Sequence, residues 1–155
     1  MNWKPLSLVL ILAGSALPAG DPQGFYFWPA SSLKGFAKSL APKINDQKIA
    51  TQQLGAMGNY SFLIAHREGS GQAEWHGKQA DIMVVESGQA TLVYGGSLVD
   101  GKTTAPDEMR GTSINGGMEK KLGPGDVITI PIQTPHQLKV DRGKETTYLT
   151  VKVTQ

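Results

Sequence analysis

From Lys48 onward, the chain alternates apolar and polar positions in a series of short segments. Eight segments have the period of two that is typical of β-strands, and Gly- and Pro-containing turn signals separate them. The predicted strands are 49–54, 60–66, 72–76, 81–86, 90–94, 127–132, 136–140 and 146–153. Short strands at this spacing predict an antiparallel sandwich or barrel.

Two stretches depart from the strand pattern. Residues 95–121 are polar and Gly-rich, and we expect a long loop with short edge pairing that lines the mouth of the barrel. Further upstream, apolar residues at spacings of three and four predict a short helix: Leu33, Phe36, Ala37 and Leu40. We expect this helix to cap the core, and the alternatives are covering one end of the barrel or mediating self-association.

Residues 1–20 have the composition of a secretory signal peptide. Lys4 supplies a positive charge, residues 6–13 are apolar, and small residues up to Ala19 offer a cleavage site. The apolar segment is shorter than the roughly 20 residues that a membrane-spanning helix needs. We therefore expect a secreted or periplasmic protein without a membrane anchor after cleavage. We expect residues 21–47 to form an N-terminal arm with the short helix, and residues 48–155 to form the β-barrel.

Composition narrows the classes of function. The 155 residues include 39% hydrophobic residues, which is enough for one domain with a core. A net charge of +2 with scattered Lys and Arg argues against nucleic acid or an anionic membrane as a partner. The sequence has no Cys, which excludes disulfides, thiolate ligands and a Cys nucleophile. Sequence motifs of serine hydrolases, P-loop proteins and dinucleotide-binding proteins are also absent.

Two segments concentrate residues that bind divalent metals. The first contains Glu74, His76 and Asp81, and the second contains His136. In an extended strand, residues 74 and 76 project from the same face, and Asp81 begins the returning strand of a hairpin turned at Gly77. Because imidazole and carboxylate suit Fe, Mn and Zn, we expect one divalent transition-metal ion. Asp81 is a fourth ligand, a base on bound water, or a strand-start residue that bonds the backbone.

Further positions complete the expected site. His66 ends the second predicted strand, where it either faces the cavity as a catalytic residue or is a solvated strand-end side chain. Gln133 either orients a ligand or points outward. Met83 and Val85 share strand parity with Asp81, so they are expected to line an apolar interior with few polar anchors.

The first segment resembles the first sequence motif of the cupin superfamily, small barrels that hold a metal on two strand pairs. That motif reads Gly, five residues, His-x-His, three or four residues, Glu, six residues, Gly. Glu74-x-His76, four residues, Asp81, six residues and Gly88 follow this spacing. Glu74 replaces the first His of the motif, Asp81 replaces its Glu, and the leading Gly is displaced to Gly69.

The second segment resembles the second motif of the same superfamily. That motif reads Gly, five residues, Pro-x-Gly, two residues, His, three residues, Asn. Gly125, five residues, Pro131-x-Gln133, two residues and His136 follow it. Gln133 stands in place of the motif's Gly, and Val140 in place of its Asn.

The resemblance implies an all-β fold: a single cupin-type antiparallel β-barrel, jelly-roll-like, with a short N-terminal helix. It implies a metal ion held by Glu74, His76, His136 and Asp81, a small-molecule substrate or ligand, and a homodimer. The favoured function is a metal-dependent oxygenase, and a lyase or isomerase would use Asp81 or His66 as the base. Two alternatives are a metal-binding or ligand-binding cupin without turnover and a metal-free barrel.

Overall fold

A computed structural model of the chain describes residues 20–155. Apart from Gly20, the predicted signal peptide lies outside the described residues. Within them, helix α1 (Ala30–Leu40) runs into a short 3-10 turn (Ala41–Lys43) and precedes the strands. The strands are β1 (Ile49–Met57), β2 (Tyr60–Arg67), β3 (Ala73–His76), β4 (Gln79–Gly88), β5 (Ala90–Tyr94), β6 (Ser97–Val99), β7 (Lys102–Ala105), β8 (Glu108–Gly111), β9 (Ser113–Asn115), β10 (Met118–Leu122), β11 (Val127–Ile130), β12 (His136–Lys139) and β13 (Thr146–Thr154).

The strands form two antiparallel sheets that enclose the main core. One sheet has the order β1-β2-β13-β4-β11, the other has the order β10-β5-β12-β3-β8-β7, and β6 pairs with β9 separately. The core takes Met83, Val85 and Tyr148 from the first sheet and Leu92 and Leu138 from the second. Burial of these side chains between the sheets is the main source of stability. The predicted all-β antiparallel fold class is confirmed.

Helix α1 packs on the outer face of the five-stranded sheet, so it covers a sheet and not an end of the barrel. Leu40 is buried against Ala50 and Ile64, with Phe36 at the edge of this second core cluster. The apolar stripe predicted from the sequence therefore faces its own domain. No helix within residues 20–155 has the length and apolar character needed to cross a bilayer.

The N-terminal arm lies on the same outer face through its aromatic residues. Tyr26 and Trp28 stack with their ring centroids 5.4 Å apart, and the Trp28 ring lies 4.9 Å from that of Phe62 on β2. The Tyr26 hydroxyl donates to the carbonyl of Ala56 at 2.8 Å. The arm and helix together thus cover the sheet face that points away from the interior.

Residues 95–121 form regular strands where the sequence pattern indicates a long loop. They contain β6, β7, β8, β9 and most of β10, and β8 pairs with β3 along its whole length. These strands are only three to five residues long, too short for a period of two to stand out from polar loop composition. As a consequence, β8 lies beside one of the proposed ligand segments.

The predicted hairpin between β3 and β4 is wrong. Strand β3 pairs with β8 and β12, whereas β4 pairs with β11 and β13 in the other sheet. Residues Gly77 and Lys78 therefore turn a corner from one sheet to the other. Because of this corner, the inner face of β3 and the start of β4 face each other across the interior instead of lying side by side.

Candidate metal centre

The structure brings all four proposed ligands together between the two sheets. Glu74 and His136 are direct cross-strand neighbours on β3 and β12. His76 Nε2 lies 3.5 Å from Glu74 Oε2 and 3.5 Å from Asp81 Oδ2. His136 Nε2 lies 3.6 Å from Asp81 Oδ2 and 3.9 Å from Glu74 Oε2. One potential ligand atom from each of the four residues lies within 4.8 Å of the others.

Hydrogen bonds aim both imidazoles into this cluster. His76 Nδ1 lies 2.6 Å from Glu108 Oε2, and His136 Nδ1 lies 3.0 Å from the carbonyl oxygen of Thr134. Both partners only accept, so each Nδ1 donates, and in the neutral imidazole the Nε2 lone pair is directed towards the cluster. Both Nε2 atoms are buried and have no hydrogen-bond partner among the described residues. Such atoms cost free energy unless something pairs with them.

A divalent metal ion fits these donors. A tetrahedral ion with bonds of about 2.1 Å holds its ligands about 3.4 Å apart, and the four imidazole–carboxylate distances of 3.5, 3.5, 3.6 and 3.9 Å are close to that spacing. Two neutral imidazoles and two carboxylates would offset the charge of a divalent ion. This set of nitrogen and oxygen ligands suits Fe(II), Mn(II) or Zn(II).

Two basic residues hold the carboxylates. Arg110 on β8 forms an ion pair with Glu74, and Lys152 Nζ on β13 lies 3.0 and 3.2 Å from the two oxygens of Asp81. Burial raises the pKa of Glu74, but the neighbouring His76 imidazole and the charge of Arg110 outweigh burial and lower the pKa to about 2. Burial also raises the pKa of Asp81, yet the neighbouring imidazoles of His136 and His76 and the charge of Lys152 hold that pKa below its usual range.

The same contacts keep a proton on His76 when no metal is bound. Burial lowers the pKa of His76, but the carboxylates of Asp81 and Glu74, each 3.5 Å from Nε2, raise it to about 9. At neutral pH the metal-free cluster therefore holds an imidazolium between two carboxylates. A metal ion has to displace this proton in order to bind.

Sequence reasoning missed three residues around this cluster: Glu108, Arg110 and Lys152. The signal for Lys152 was present, because strand parity places it on the same face as Tyr148 and Thr150, which line the interior. Glu108 and Arg110 belong to the stretch interpreted as a loop, where parity has no meaning. Their roles become visible only from the pairing of β8 with β3.

His66 does not reach the cluster, and the structure corrects both expectations for it. On β2, Leu63 and Ala65 line the interior, whereas His66 shares the opposite face with Ile64, which packs beneath the helix. Its Nδ1 lies 2.8 Å from the hydroxyl of Thr147. His66 is also only 1% exposed, so it is neither a base in the cavity nor a solvated strand-end residue. Period-two parity alone did not fix its side of the sheet.

Two motif positions, Gly88 and Gln133, adopt a positive φ, but only the first requires glycine. Gly88 has φ +76°, and a Cβ there would lie 2.0 Å from the carbonyl oxygen of Glu145, so this position requires glycine. Gln133, where the motif has Gly, adopts φ +60° and is exposed. Its backbone N–H donates to the carbonyl of His76 at 2.7 Å. Gln133 thus preserves the turn. Of the two expectations for this residue, orienting a ligand or pointing outward, its exposure matches the second.

A cavity of about 460 Å³ adjoins the two carboxylates of the cluster. Met83 lines it, as strand parity predicts, but so do three basic residues: Arg67, Arg110 and Lys152. The interior beside the cluster is therefore much more polar than the apolar pocket that we expected. The volume is suitable for a small organic molecule.

No protein-family model and no curated protein matches the sequence. Solved structures match the fold at low identity. The polyketide cyclase RemF from Streptomyces resistomycificus has a TM-score of 0.51 and 20% identity, over 70% of this chain and 67% of that one. A sugar phosphate isomerase of the cupin superfamily from Silicibacter pomeroyi has a TM-score of 0.50 and 17% identity, over 70% and 60%.

A cupin 2 conserved barrel domain protein from Rhodopseudomonas palustris also matches, with a TM-score of 0.50 and 19% identity, over 69% of this chain and 61% of that one. The chain thus spans less than two thirds of the length of the latter two proteins. Identities this low concern the fold and not the activity. The strand topology and these matches show that the chain has the cupin fold.

Proposed function

We propose that the protein is an exported metal-dependent enzyme that acts on a small polar organic molecule. The observation that carries this proposal is the pair of buried Nε2 atoms of His76 and His136, which face two carboxylates but form no hydrogen bond within the described chain. A single Fe, Mn or Zn ion held by these residues, Glu74 and Asp81 would supply the missing partner.

When bound, such an ion would polarise a carbonyl or hydroxyl oxygen of the substrate. The surrounding residues fix the donors: Glu108 orients His76, Arg110 holds Glu74, and Lys152 holds Asp81. Because these partners are in place before binding, the site is organised in advance of substrate.

The cavity holds two groups that can donate a proton to a substrate, which favours a lyase or isomerase. Lys152 lines the cavity with an ammonium group, and the Tyr148 hydroxyl accepts a hydrogen bond from Arg67 Nε at 3.0 Å, which leaves its own proton free to donate. Burial raises the pKa of Tyr148, so this hydroxyl stays protonated at neutral pH. Two of the similar structures are named as a cyclase and an isomerase, which agrees with this class.

An oxygenase is the second candidate, because two imidazoles with carboxylate ligands and open positions are also typical of non-haem Fe(II) oxygenases. The donor set of Glu74, His76 and His136 supports it. The two candidates differ in whether O2 is consumed and in whether solvent protons enter the substrate.

The first test is elemental analysis of the protein purified without chelators. We expect about one transition-metal ion per chain, and loss of that ion in His136→Ala. A native protein without metal, even after reconstitution with Fe(II), Mn(II) and Zn(II), would contradict the proposal.

The second test is turnover by the metal-loaded protein in D2O, on a panel of phenols, diketones and sugars. Deuterium incorporation seen by NMR, without O2 uptake at an electrode, supports proton transfer. O2 uptake without exchange supports the oxygenase. If neither signal is observed, a non-catalytic binding protein becomes the favoured function.

A further inference from the structure

The cavity beside the four ligands contains a buried cation that has no ionic partner. Arg67 lies on β2, lines the cavity and is 7% exposed. Its Nε donates to the Tyr148 hydroxyl, but no carboxylate of residues 20–155 forms an ion pair with its guanidinium. Arg110 and Lys152 differ from it, because they pair with Glu74 and Asp81.

A buried guanidinium is costly unless an anion accompanies it. Arg cannot shed its proton in a protein, and an unpaired charge in the interior is costly. The Arg67 guanidinium borders the cavity, so the contents of the cavity have to compensate its charge. Arg67 is nevertheless held in one place. Tyr148 fixes its Nε, and a Cβ at Gly71 would lie 2.7 Å from its Nη1, so the backbone approaches the guanidinium closely. The group is organised in advance for a ligand that enters the cavity.

A metal ion would strengthen this preference for an anion. Glu74 and Asp81 would then offset the charge of the ion and would no longer fully compensate Arg110 and Lys152. Glu108 lies 4.0 Å from Arg110 and provides only partial compensation. With Arg67, the wall of the cavity would carry a positive excess, which favours negatively charged molecules.

We propose that the substrate is a small organic carboxylate and that Arg67 binds its carboxylate group. This inference rests on the proposed function and deepens it by naming the substrate class. The planar fork of a guanidinium matches a carboxylate with two parallel hydrogen bonds. While Glu74 and Asp81 pair with Arg110 and Lys152, as in the metal-free protein, the one unpaired guanidinium also matches one negative charge better than the nearly two charges of a phosphate monoester. The carboxylate would anchor at Arg67 while the rest of the molecule extends towards Glu74 and Asp81, which line the same cavity.

The test is a calorimetric titration of the full protein, metal-loaded and metal-free, with matched pairs of acids and amides. The probes are lactate and lactamide, benzoate and benzamide, and inorganic phosphate. We expect at least one carboxylate to bind with saturation, its amide not to bind, and phosphate to bind more weakly. Carboxylates that bind no better than their amides, or phosphate that binds best, would overturn the inference.

Arg67→Met removes the charge and is expected to weaken carboxylate binding about tenfold or more. Arg142→Met is the matched control, because Arg142 is exposed in the turn before β13, and it should leave binding unchanged. Equal losses in both variants, or no loss in Arg67→Met, would contradict the role of Arg67.

Thermal unfolding separates this role from a structural one. Arg67→Met breaks no ion pair and loses the hydrogen bond to Tyr148, so it should unfold only slightly below the native protein when no ligand is present. Arg67→Lys retains a charge but not the fork, so intermediate binding is expected. A marked loss of stability in Arg67→Met, combined with native carboxylate affinity in Arg67→Lys, would show a structural residue and overturn the inference.

The metal content of the same samples separates this inference from the proposed function. Metal-free protein that takes up no metal but binds carboxylates through Arg67 would refute the metal-dependent function and leave the carboxylate site intact. Protein that holds about one ion per chain but binds amides as well as acids would refute the carboxylate site and leave the metal-dependent function intact.

Discussion

Two groups of His and carboxylate side chains in this molecule have similar distances but different surroundings. The inner cluster consists of Glu74, His76, Asp81 and His136, and the outer cluster consists of His66, Glu68 and Glu145. In the outer cluster, His66 Nε2 lies 3.6 Å from one Glu oxygen and 3.9 Å from the other. Like the inner imidazoles, it is buried and has no hydrogen-bond partner among residues 20–155.

Three features distinguish the clusters. The inner one has two imidazoles, and its carboxylate side chains are 22% and 2% exposed, whereas the outer one has a single imidazole and carboxylates that are 42% and 58% exposed. The inner Nδ1 atoms face pure acceptors, but His66 Nδ1 faces the Thr147 hydroxyl, which can donate or accept and so does not fix the tautomer. Spacing alone therefore does not distinguish the two clusters. Burial and oriented imidazoles favour the inner cluster as the metal site.

The largest effect should come from removing one imidazole from each cluster in turn. We expect His76→Ala to abolish stoichiometric metal binding, because it removes an oriented ligand from the buried set. His66→Ala is the matched variant, and we expect it to keep about one ion per chain. Elemental analysis after dialysis measures both. Metal loss in His66→Ala with retention in His76→Ala would invert the comparison.

The orientation of the imidazoles is tested by changing their Nδ1 partners. Glu108→Gln should weaken metal affinity about 10- to 100-fold, because the carboxylate that fixes His76 becomes a neutral amide. Thr147→Val removes the equivalent partner of His66 and should leave metal affinity unchanged. Competition with a fluorescent chelator measures both affinities. Equal affinity in native protein and Glu108→Gln would show that orientation by Glu108 is unimportant.

The pH dependence of stability gives a third contrast, with and without metal. The pKa of His76 is raised from 6.5 to about 9, so its contribution is fully present below pH 6.5 and is lost as pH rises towards 9. The lowered pKa of Glu74 acts in the opposite direction, since its contribution is present above pH 4.5 and is lost as pH falls towards 2. Metal-free protein should therefore lose thermal stability on both sides of this range.

A bound metal ion is expected to remove the alkaline half of that profile. A bound ion takes the place of the proton on His76, so metal-loaded protein should keep its stability between pH 6.5 and 9. Below pH 9, metal affinity should fall about tenfold for each unit of pH, as the proton competes for His76. Thermal unfolding with and without chelator across pH 4 to 10 measures both effects. An alkaline loss that persists with metal would contradict displacement of the proton.

The sequence predicts the inner cluster well because its geometry follows from strand parity and motif spacing. Glu74 and His76 share a face by parity, and the spacing to Asp81 and His136 matches a known pattern. The route by which they meet was not predictable in the same way. The corner at Gly77 brings Asp81 in from the opposite sheet, and nothing in a local pattern distinguishes a corner from a hairpin turn.

Long-range strand pairing also explains why the sequence did not reveal the roles of Glu108 and Arg110 or the position of His66. Glu108 and Arg110 acquire their roles only because β8 pairs with β3, which joins residues 32 to 38 positions apart. Both strands are too short to show a period. The outer cluster depends in the same way on the pairing of β2 with β13. The sequence therefore did not show which face of the sheet His66 occupies.

The smallest expected effect concerns the turn beneath the inner cluster. Gln133 adopts φ +60° and its N–H donates to the carbonyl of His76. The left-handed conformation costs a non-glycine residue about 1–2 kcal/mol. Glycine avoids this cost, but the greater conformational entropy of its unfolded chain offsets part of the gain. Gln133→Gly should therefore raise the free energy of unfolding by up to about 1 kcal/mol and leave metal content unchanged. Gly88→Ala is the opposite control, because its Cβ would meet the carbonyl of Glu145 in the outer cluster. Urea unfolding of both variants should show opposite signs, and a destabilised Gln133→Gly would mean that the Gln side chain itself supports the turn.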